Sequence, residues 1–328
     1  MAAGYGRIAS RSLLFLFSVG IVLSALSGPP PTQRILEDPN CARYTLQVQQ
    51  SWNLQSPNGE RFDASGLQRL PDGRLLVVND KEAGVFEIQL GDLPTARLRR
   101  VPGIFEQREL AALCPGRSFP FDLEALALDA EGRLYVSDET QRLIFRCDLR
   151  SGITEKLPID WAPVAKWFSP TDRNASFEGM AVGNGKLYVA NERELGRIIE
   201  VDLNSMSVLR DFQVKPPGVT ATDVHYSDLA WFESELWVLC REHRQVLAVN
   251  PINLKVHAAF GYMDIELDPK FAYRHWIPYG FFEGLSVDKG YIWLCIDNNG
   301  YPRRSDGNDR RPQLFKCPRP DTQNREKN

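Results

Sequence analysis

Three glutamates in this chain occupy the same place in a short recurring motif. Glu124, Glu178 and Glu283 stand in Leu-Glu-Ala-Leu, Phe-Glu-Gly-Met and Phe-Glu-Gly-Leu, and Ser65 and Ser227 take that place in two further copies. If the fold brings the copies together, the carboxylates must be protonated, paired or neutralised by a cation. Hard oxygen ligands of this kind select calcium or magnesium. We therefore predict that this inner ring of five residues binds calcium, the alternative being glutamates that pair with arginines or hold water.

A second set of polar residues ends the strand that follows each motif. These residues, called the second ring below, are Asp80, Glu139, Glu192, Arg241 and Asp297. Beside a metal site, such residues can bind substrate or support the metal ligands. We predict that Asp80, Arg241 and Asp297 bind substrate, and that Glu139 and Glu192 are candidate catalytic bases. The alternative is that all five are hairpin-end residues that satisfy loop backbone.

The spacing of the motif identifies the elements that must position these side chains. Its five copies recur every 49 to 59 residues, and four of them continue through a Gly-containing turn into an apolar strand. That length accommodates a four-stranded sheet with its loops, which is the repeat of a β-propeller. We predict an all-β, five-bladed β-propeller, with six blades as the alternative. The first strand of every blade lines the central channel, so both rings are expected near the axis.

A propeller must close its ring, and the fifth repeat lacks a fourth strand because the chain ends soon after Cys317. Residues 43–52 (RYTLQVQQSW) form an unassigned strand before the first repeat, and we predict that it completes the last blade. Cys41 would then stand beside Cys317, and we predict a disulfide between them. The pairing of the other four cysteines stays open. No cysteine lies in a Cys-x-x-Cys pair, so a zinc site is not indicated.

Two long insertions carry aromatic and cationic residues. Residues 260–279 include Arg274 and His275, and residues 298–312 include Arg303 and three further arginines. Together they predict a pocket for a small anionic molecule, with Arg274 and Arg303 as substrate-binding residues. His275 is a third candidate for the general base. The alternative is a solvated loop with ordinary charges.

The N-terminal residues resemble an export signal. Arg7 and Arg11 precede an apolar run over 13–26, which is short for a membrane-spanning helix. We predict a signal peptide or an uncleaved anchor over 1–27, a linker over 28–40, the propeller over 41–320 and a disordered tail over 321–328. The protein is then secreted or periplasmic, and membrane-attached only if the anchor is retained. The net charge of −3, with acids and bases interspersed, argues against nucleic-acid binding, and we expect a monomer.

Three stretches of the repeat are similar to a known family. FDLEALALDAEGRLYVSDE (121–139), FEGMAVGNGKLYVANE (177–192) and FEGLSVDKGYIWLCIDNN (282–299) resemble the family named for an esterase-like activity of phytase and the related SdiA-regulated periplasmic propellers. The resemblance spans about residues 60–317 and implies an exported propeller with an axial calcium held by Glu124, Glu178 and Glu283. Ala125 and Ser227-Asp228 depart from the Glu-Gly pattern, so the resemblance implies an incomplete ring in those two repeats.

Three functions are consistent with these features. The first is a calcium-dependent hydrolase of phosphate or carboxylic esters, in which the cation polarises the ester group and activates a water. The second is a non-catalytic, exported binding or scaffold propeller with a structural calcium. The third is a lactonase-like or nucleotidase-like propeller. No Gly-x-Ser-x-Gly motif for a serine nucleophile occurs in the chain.

Overall fold

Strands account for nearly all regular structure in the computed structural model of this chain. The structure describes residues 41–320, except 92–93, 118–119, 173–174, 193–195, 221–223 and 277–279. The predictions for residues 1–40 and 321–328 lie outside the described residues. All described residues belong to one compact unit. Within them, no helix has the length and apolar character needed to cross a membrane.

The repeats identified in the sequence correspond to successive groups of strands. Two strands precede the first repeat: β1 (Ala42–Thr45) and β2 (Gln50–Gln55). The first repeat contains β3 (Ala64–Arg69), β4 (Leu75–Asn79), β5 (Glu82–Leu90) and β6 (Thr95–Val101), and helix α1 (Gln107–Leu113) follows it. The second contains β7 (Leu123–Leu128), β8 (Arg133–Asp138), β9 (Leu143–Asp148) and β10 (Ile153–Lys156), and a 3₁₀ helix (Ala162–Trp167) follows it.

The remaining repeats follow the same plan. The third contains β11 (Phe177–Gly183), β12 (Lys186–Asn191), β13 (Arg197–Asp202) and β14 (Ser207–Phe212). The fourth contains β15 (Tyr226–Phe232), β16 (Glu235–Cys240), β17 (Gln245–Val249) and β18 (Val256–Gly261), and helix α2 (Met263–Leu267) follows it. The fifth contains β19 (Phe282–Val287), β20 (Tyr291–Ile296) and β21 (Gln313–Pro318).

Within each repeat the strands pair antiparallel in chain order. The innermost strands β3, β7, β11, β15 and β19 contact one another in cyclic order, with β19 returning to β3. Apolar side chains fill the space between neighbouring sheets, as Tyr135, Met180 and Val189 do between the second and third repeats. The buried core therefore surrounds a common centre on which the five first strands converge.

The N-terminal segment supplies the fourth strand of the fifth repeat, but the predicted boundaries are wrong. Strand β2 pairs antiparallel with β21, with Ser51 opposite Phe315, and it also pairs parallel with β6 of the first repeat. The first half of the predicted strand instead forms β1, which pairs parallel with β18 of the fourth repeat. Residues 43–52 are thus divided between two strands that extend different sheets.

The predicted disulfide between Cys41 and Cys317 is wrong, because no disulfide joins any of the six cysteines, all of which the structure describes. Cys41 adjoins β1 and packs with residues of the third and fourth repeats, such as Phe212 and Val256. Cys317 lies within β21 and packs with residues such as Ile292. The pairing of β1 with β18 therefore places Cys41 in a different apolar cluster, and hydrogen bonds between β2 and β21 close the fifth repeat.

Every innermost strand contains an irregularity at the recurring motif. The pairing register shifts between Ser65 and Leu67 in the first repeat and between Leu123 and Leu126 in the second. In the third, fourth and fifth repeats the skipped residue is the ring residue itself, whereas in the first repeat it is Gly66. A β-bulge bends its strand and redirects a side chain. The bulge therefore falls within the motif in all five repeats, but it lies one residue later in the first, where Ser65 remains paired with Val78.

Candidate metal centre

The inner ring lies where the five bulged strands converge. Ser65, Glu124, Ser227 and Glu283 are buried, and Glu178 is half-buried. The two serines connect neighbouring repeats, since the Ser227 hydroxyl donates to the Phe282 carbonyl at 2.8 Å and the Ser65 hydroxyl bonds to the Glu124 carboxylate.

The glycines that follow the ring residues allow neighbouring strands to touch. Gly66 has a φ of +54°, and a Cβ there would lie 2.7 Å from the Ala125 Cα. A Cβ at Gly179 would lie 2.6 Å from the Asp228 Cα. These distances are shorter than any ordinary van der Waals contact. Glycine is therefore required here by packing of backbone against backbone.

Asp228 occupies the corresponding glycine position in the fourth repeat, and the sequence gives no role for it. Its carboxylate is fully buried and accepts the N–H of Leu229 at 2.8 Å and of Leu285 at 2.7 Å. It also accepts backbone hydrogen bonds from Leu67 and Met180. One carboxylate thus bonds to the innermost strands of four repeats. Asp228, which departs from the Glu-Gly pattern, therefore holds the innermost strands together at the centre of the fold.

Two groups of three carboxylates lie at one end of the converging strands. Asp63, Asp80 and Asp297 have oxygens within 4.8 Å of one another, and so do Asp80, Asp122 and Glu124. Asp80 belongs to both groups. Of the five predicted calcium ligands, Glu124 belongs to one of these groups, as far as the described residues show. Asp80 and Asp297, which the sequence placed in the second ring, belong to them as well.

Asp63 and Asp122 were not expected from the sequence. Each stands two residues before its ring residue, in Phe-Asp-Ala-Ser and Phe-Asp-Leu-Glu. That shared Phe-Asp start is the signal that would have identified them. Asn79 and Asp138 then hold the two segments in place, because their side-chain oxygens accept the backbone N–H groups of Asp63 and Asp122 at 3.1 Å each.

The first carboxylate group is largely neutralised by cations. The Arg61 guanidinium contacts both oxygens of Asp63, with Nε 2.8 Å from Oδ1. The Lys81 ammonium contacts Asp80 and lies 3.5 Å from Asp63 Oδ2. Burial raises the pKa of Asp80 to about 6 despite Lys81, and the nearby Asp63 charge adds to the rise.

The second group has fewer cationic contacts among the described residues. Carboxylate oxygens of Asp122 and Glu124 lie within 4.8 Å of each other, so the two groups repel when both are charged. Burial raises the pKa of both, and the Glu139 and Asp122 charges raise that of Glu124 further. Asp80 Oδ1 is buried without a hydrogen-bond partner. This set of oxygens would fit a divalent cation, which would remove the repulsion among the carboxylates.

The opposite side of the inner ring is neutralised by arginine. Arg241 Nη1 donates to Glu283 Oε1 at 2.5 Å and lies 3.3 Å from Glu192 Oε1. Burial raises the pKa of Glu283 to about 7, although Arg241 opposes the rise. Glu283 Oε2 is buried without a hydrogen-bond partner. At Glu283, therefore, the geometry is that of the arginine-pairing alternative for the inner ring.

Comparison with known families and folds adds to this geometry. A family model described as phytase-like, esterase-like activity of phytase, matches residues 65–300. The chain belongs to this phytase-like family. The matched segment contains both rings and Asp122, whereas Asp63 precedes it. No curated protein matches the sequence.

Solved structures place the phytase-like chain in an all-β, propeller-like fold. The glutaminyl cyclase of Myxococcus xanthus is 14% identical over 84% of this chain and 97% of its own, with a TM-score of 0.54. The aldose sugar dehydrogenase of Streptomyces coelicolor is 14% identical over 83% and 98%, with a TM-score of 0.44. The virginiamycin B lyase of Staphylococcus aureus is 14% identical over 84% and 75%, with a TM-score of 0.40. At 14% identity, the likeness to the glutaminyl cyclase concerns the fold alone.

The two insertions of this phytase-like chain meet, because Tyr273 forms an isolated β-bridge with Arg303. Arg303 is buried, bonds to Asn53 and stacks over the Tyr273 ring at 5.1 Å, so it supports the loop. Arg274 is exposed. His275 packs edge-on against Phe281, with ring centroids 4.2 Å apart.

A cavity of about 660 Å³ lies between residues 54–62 and 299–312. Arg61, Asn299 and Arg310 are among its lining residues. It adjoins the first carboxylate group, because Arg61 bonds to Asp63 and the Asn299 N–H donates to Asp297 Oδ1 at 2.7 Å. A ligand in this cavity would lie next to the candidate metal centre.

Proposed function

We propose that this phytase-like protein is an exported, monomeric, five-bladed β-propeller that binds calcium and hydrolyses a phosphate or carboxylic ester. The observation that carries the proposal is that two groups of three carboxylates share Asp80 and lie beside a cavity of about 660 Å³. The cyclic order of the five innermost strands supports the blade count. Export rests on the N-terminal sequence alone.

The residues that would hold calcium are Asp80, Asp122 and Glu124, with the Ser65 hydroxyl beside them. Asp63 is a poorer ligand because the Arg61 guanidinium contacts both of its oxygens. Calcium accepts six to eight oxygen ligands in flexible geometry, and water can complete such a set. A bound calcium supplies Lewis-acid polarisation of an ester oxygen.

Residues of the chain would bind the substrate and supply the general base. Arg310 and Arg61 line the cavity and suit the anionic part of a substrate. Glu139 is our proposed general base, because it is buried and its charge, after burial, contributes most to the raised pKa of Glu124. Glu192 is less suited to this role, since its carboxylate lies 3.3 Å from Arg241.

One observation favours a second candidate, the binding or scaffold propeller with structural calcium. Asp63 and Asp80 belong to the first repeat and Asp297 to the fifth, so a cation there would join the two repeats where the ring closes. A lactonase-like or nucleotidase-like activity would use the same centre and is distinguished only by its substrate.

Calorimetric calcium titration of the full chain tests the cation. We expect binding by the wild-type protein and an affinity lower by about tenfold or more in Asp122→Asn and Glu124→Gln, because each loses a charged ligand. Glu131→Gln is the matched control, since its side chain is 65% exposed in the turn between β7 and β8. A wild-type protein that does not bind calcium would contradict the proposal.

A substrate panel then separates the functions. Carboxylic esters, phosphoesters, lactones and nucleotides are tested with and without chelator, using wild type and Glu139→Gln. The hydrolase proposal expects turnover that chelator abolishes and that Glu139→Gln lowers while calcium binding persists. Calcium binding without turnover of any substrate supports the scaffold function.

A further inference from the structure

The Lys81 ammonium lies among the carboxylates of both groups. Lys81 follows Asp80 directly, and its Nζ contacts Asp80 Oδ2 and lies 3.5 Å from Asp63 Oδ2. Its charge also acts on Asp297 and on Asp122. The single positive charge of Lys81 thus contacts Asp80, the residue that the two groups share.

Lys81 and Arg61 neutralise the acids in different ways. Arg61 forms a two-point contact with the fully buried Asp63 carboxylate, and a guanidinium is a rigid planar donor. Lys81 has a flexible four-carbon stem, its side chain is 50% exposed, and an ammonium is a compact point charge. The lysine can therefore leave Asp80 for solvent at little cost in packing, whereas the arginine remains bound.

We propose that Lys81 is a tethered cation that competes with the divalent cation for Asp80. Asp80 Oδ2 is engaged by Lys81, while its Oδ1 is buried without a hydrogen-bond partner. A divalent cation bound by Asp80, Asp122 and Glu124 would repel the neighbouring ammonium and displace it towards solvent. Lys81 thereby stabilises the cation-free centre and weakens cation binding. The inference rests on the cation site of the proposed function.

The competition has two measurable consequences of opposite sign. Binding of a divalent cation must break the charged contact between Lys81 and Asp80, so removing the lysine charge should tighten binding by roughly tenfold. The same removal leaves the buried acids less neutralised in the absence of calcium. Lys81→Gln should therefore bind calcium more tightly than the wild type and, without calcium, melt at a lower temperature.

The test is a calcium titration of the full chain by calorimetry, with thermal melting in metal-free buffer. The matched control is Lys186→Gln, because Lys186 also contacts a buried carboxylate, Glu200, far along the chain in the third repeat. Glu200 keeps a second cation in that variant, since Arg210 Nε lies 2.6 Å from it. The control should leave calcium affinity unchanged. Lys81→Arg keeps the charge and should not tighten binding.

The outcomes separate this inference from the proposed function. Unchanged or weaker calcium affinity in Lys81→Gln would overturn the competition while the cation site stands. Binding by Lys81→Gln alone would support the competition and contradict calcium binding by the native protein. Absence of binding in both proteins would overturn both proposals.

Discussion

The ionisation of Glu283 should make the cation-free protein less stable as the pH rises. Burial raises the pKa of Glu283 from 4.5 to about 7. Between those values the unfolded chain loses the proton while the folded protein keeps it. The folded state then binds more protons than the unfolded state, so the free energy of unfolding falls with rising pH. Below pH 4.5 the penalty is absent, and above about pH 7 it is complete.

The size of this effect follows from the same two values. A carboxyl pKa that rises from 4.5 to about 7 corresponds to about 3 kcal/mol of lost stability above neutral pH. Glu283→Gln removes the titration but keeps an Oε1 that can accept the hydrogen bond from Arg241 Nη1. The variant should therefore match the wild type near pH 4.5 and lose much less stability by pH 8.

Urea unfolding in metal-free buffers of constant ionic strength, from pH 4.5 to 8, measures this difference. Tryptophan fluorescence is a suitable signal because the chain contains seven tryptophans. Asp80, whose pKa is raised to about 6, leaves some pH dependence in the variant. The exposed-site variant Glu131→Gln should keep the wild-type profile. Wild-type stability that is level or rises from pH 4.5 to 7, or a Glu283→Gln profile as steep as the wild type, would refute the reasoning.

Two further predictions concern the packing of the innermost strands. Gly66→Ala should destabilise the protein by roughly 2–3 kcal/mol in urea unfolding, since its Cβ would meet backbone at 2.7 Å. Gly59→Ala, at a φ of +75° with nothing within 4 Å, should cost only about 1 kcal/mol, and equal losses would contradict the packing argument. Asp228→Ala should cost roughly 3 kcal/mol or more, because it leaves several buried N–H groups unpaired. A loss under about 1 kcal/mol would show that these hydrogen bonds contribute little.

The parts of the fold predicted from the sequence are those set by local pattern. Gly-containing turns between apolar strands recur in register, so the repeats, their strand order and the place of the motif on each innermost strand follow from the sequence. The ends of the N-terminal strands do not, because residues 43–52 offer strand-forming side chains throughout. The choice between β18 and β21 as partner is made by tertiary pairing. The predicted disulfide failed for the same reason.

The candidate site was predicted less completely than the fold. Ring position places Glu124, Glu178 and Glu283 at one level, but it does not say which acid has a cation beside it. Arg241 lies in the second ring of a neighbouring repeat and neutralises Glu283. Asp63 and Asp122 come from the residues before the strands, where no apolar alternation marks them. The site therefore depends on which side chains of different repeats contact one another. The spacing of residues along the sequence does not specify those contacts.

The differences among the five repeats indicate the position of the candidate site better than their shared motif does. If all five ring positions carried glutamate, the five carboxylates would repel one another. No one position would then be favoured for a ligand. In this chain, Arg241 contacts Glu192 of the third repeat and Glu283 of the fifth. Asp228 replaces a glycine and bonds to the innermost strands of four repeats. The carboxylates of Asp80, Asp122 and Glu124 converge in the first and second repeats instead. The departures from the repeat thus confine the candidate cation to one side of the axis, next to the cavity that would hold its substrate.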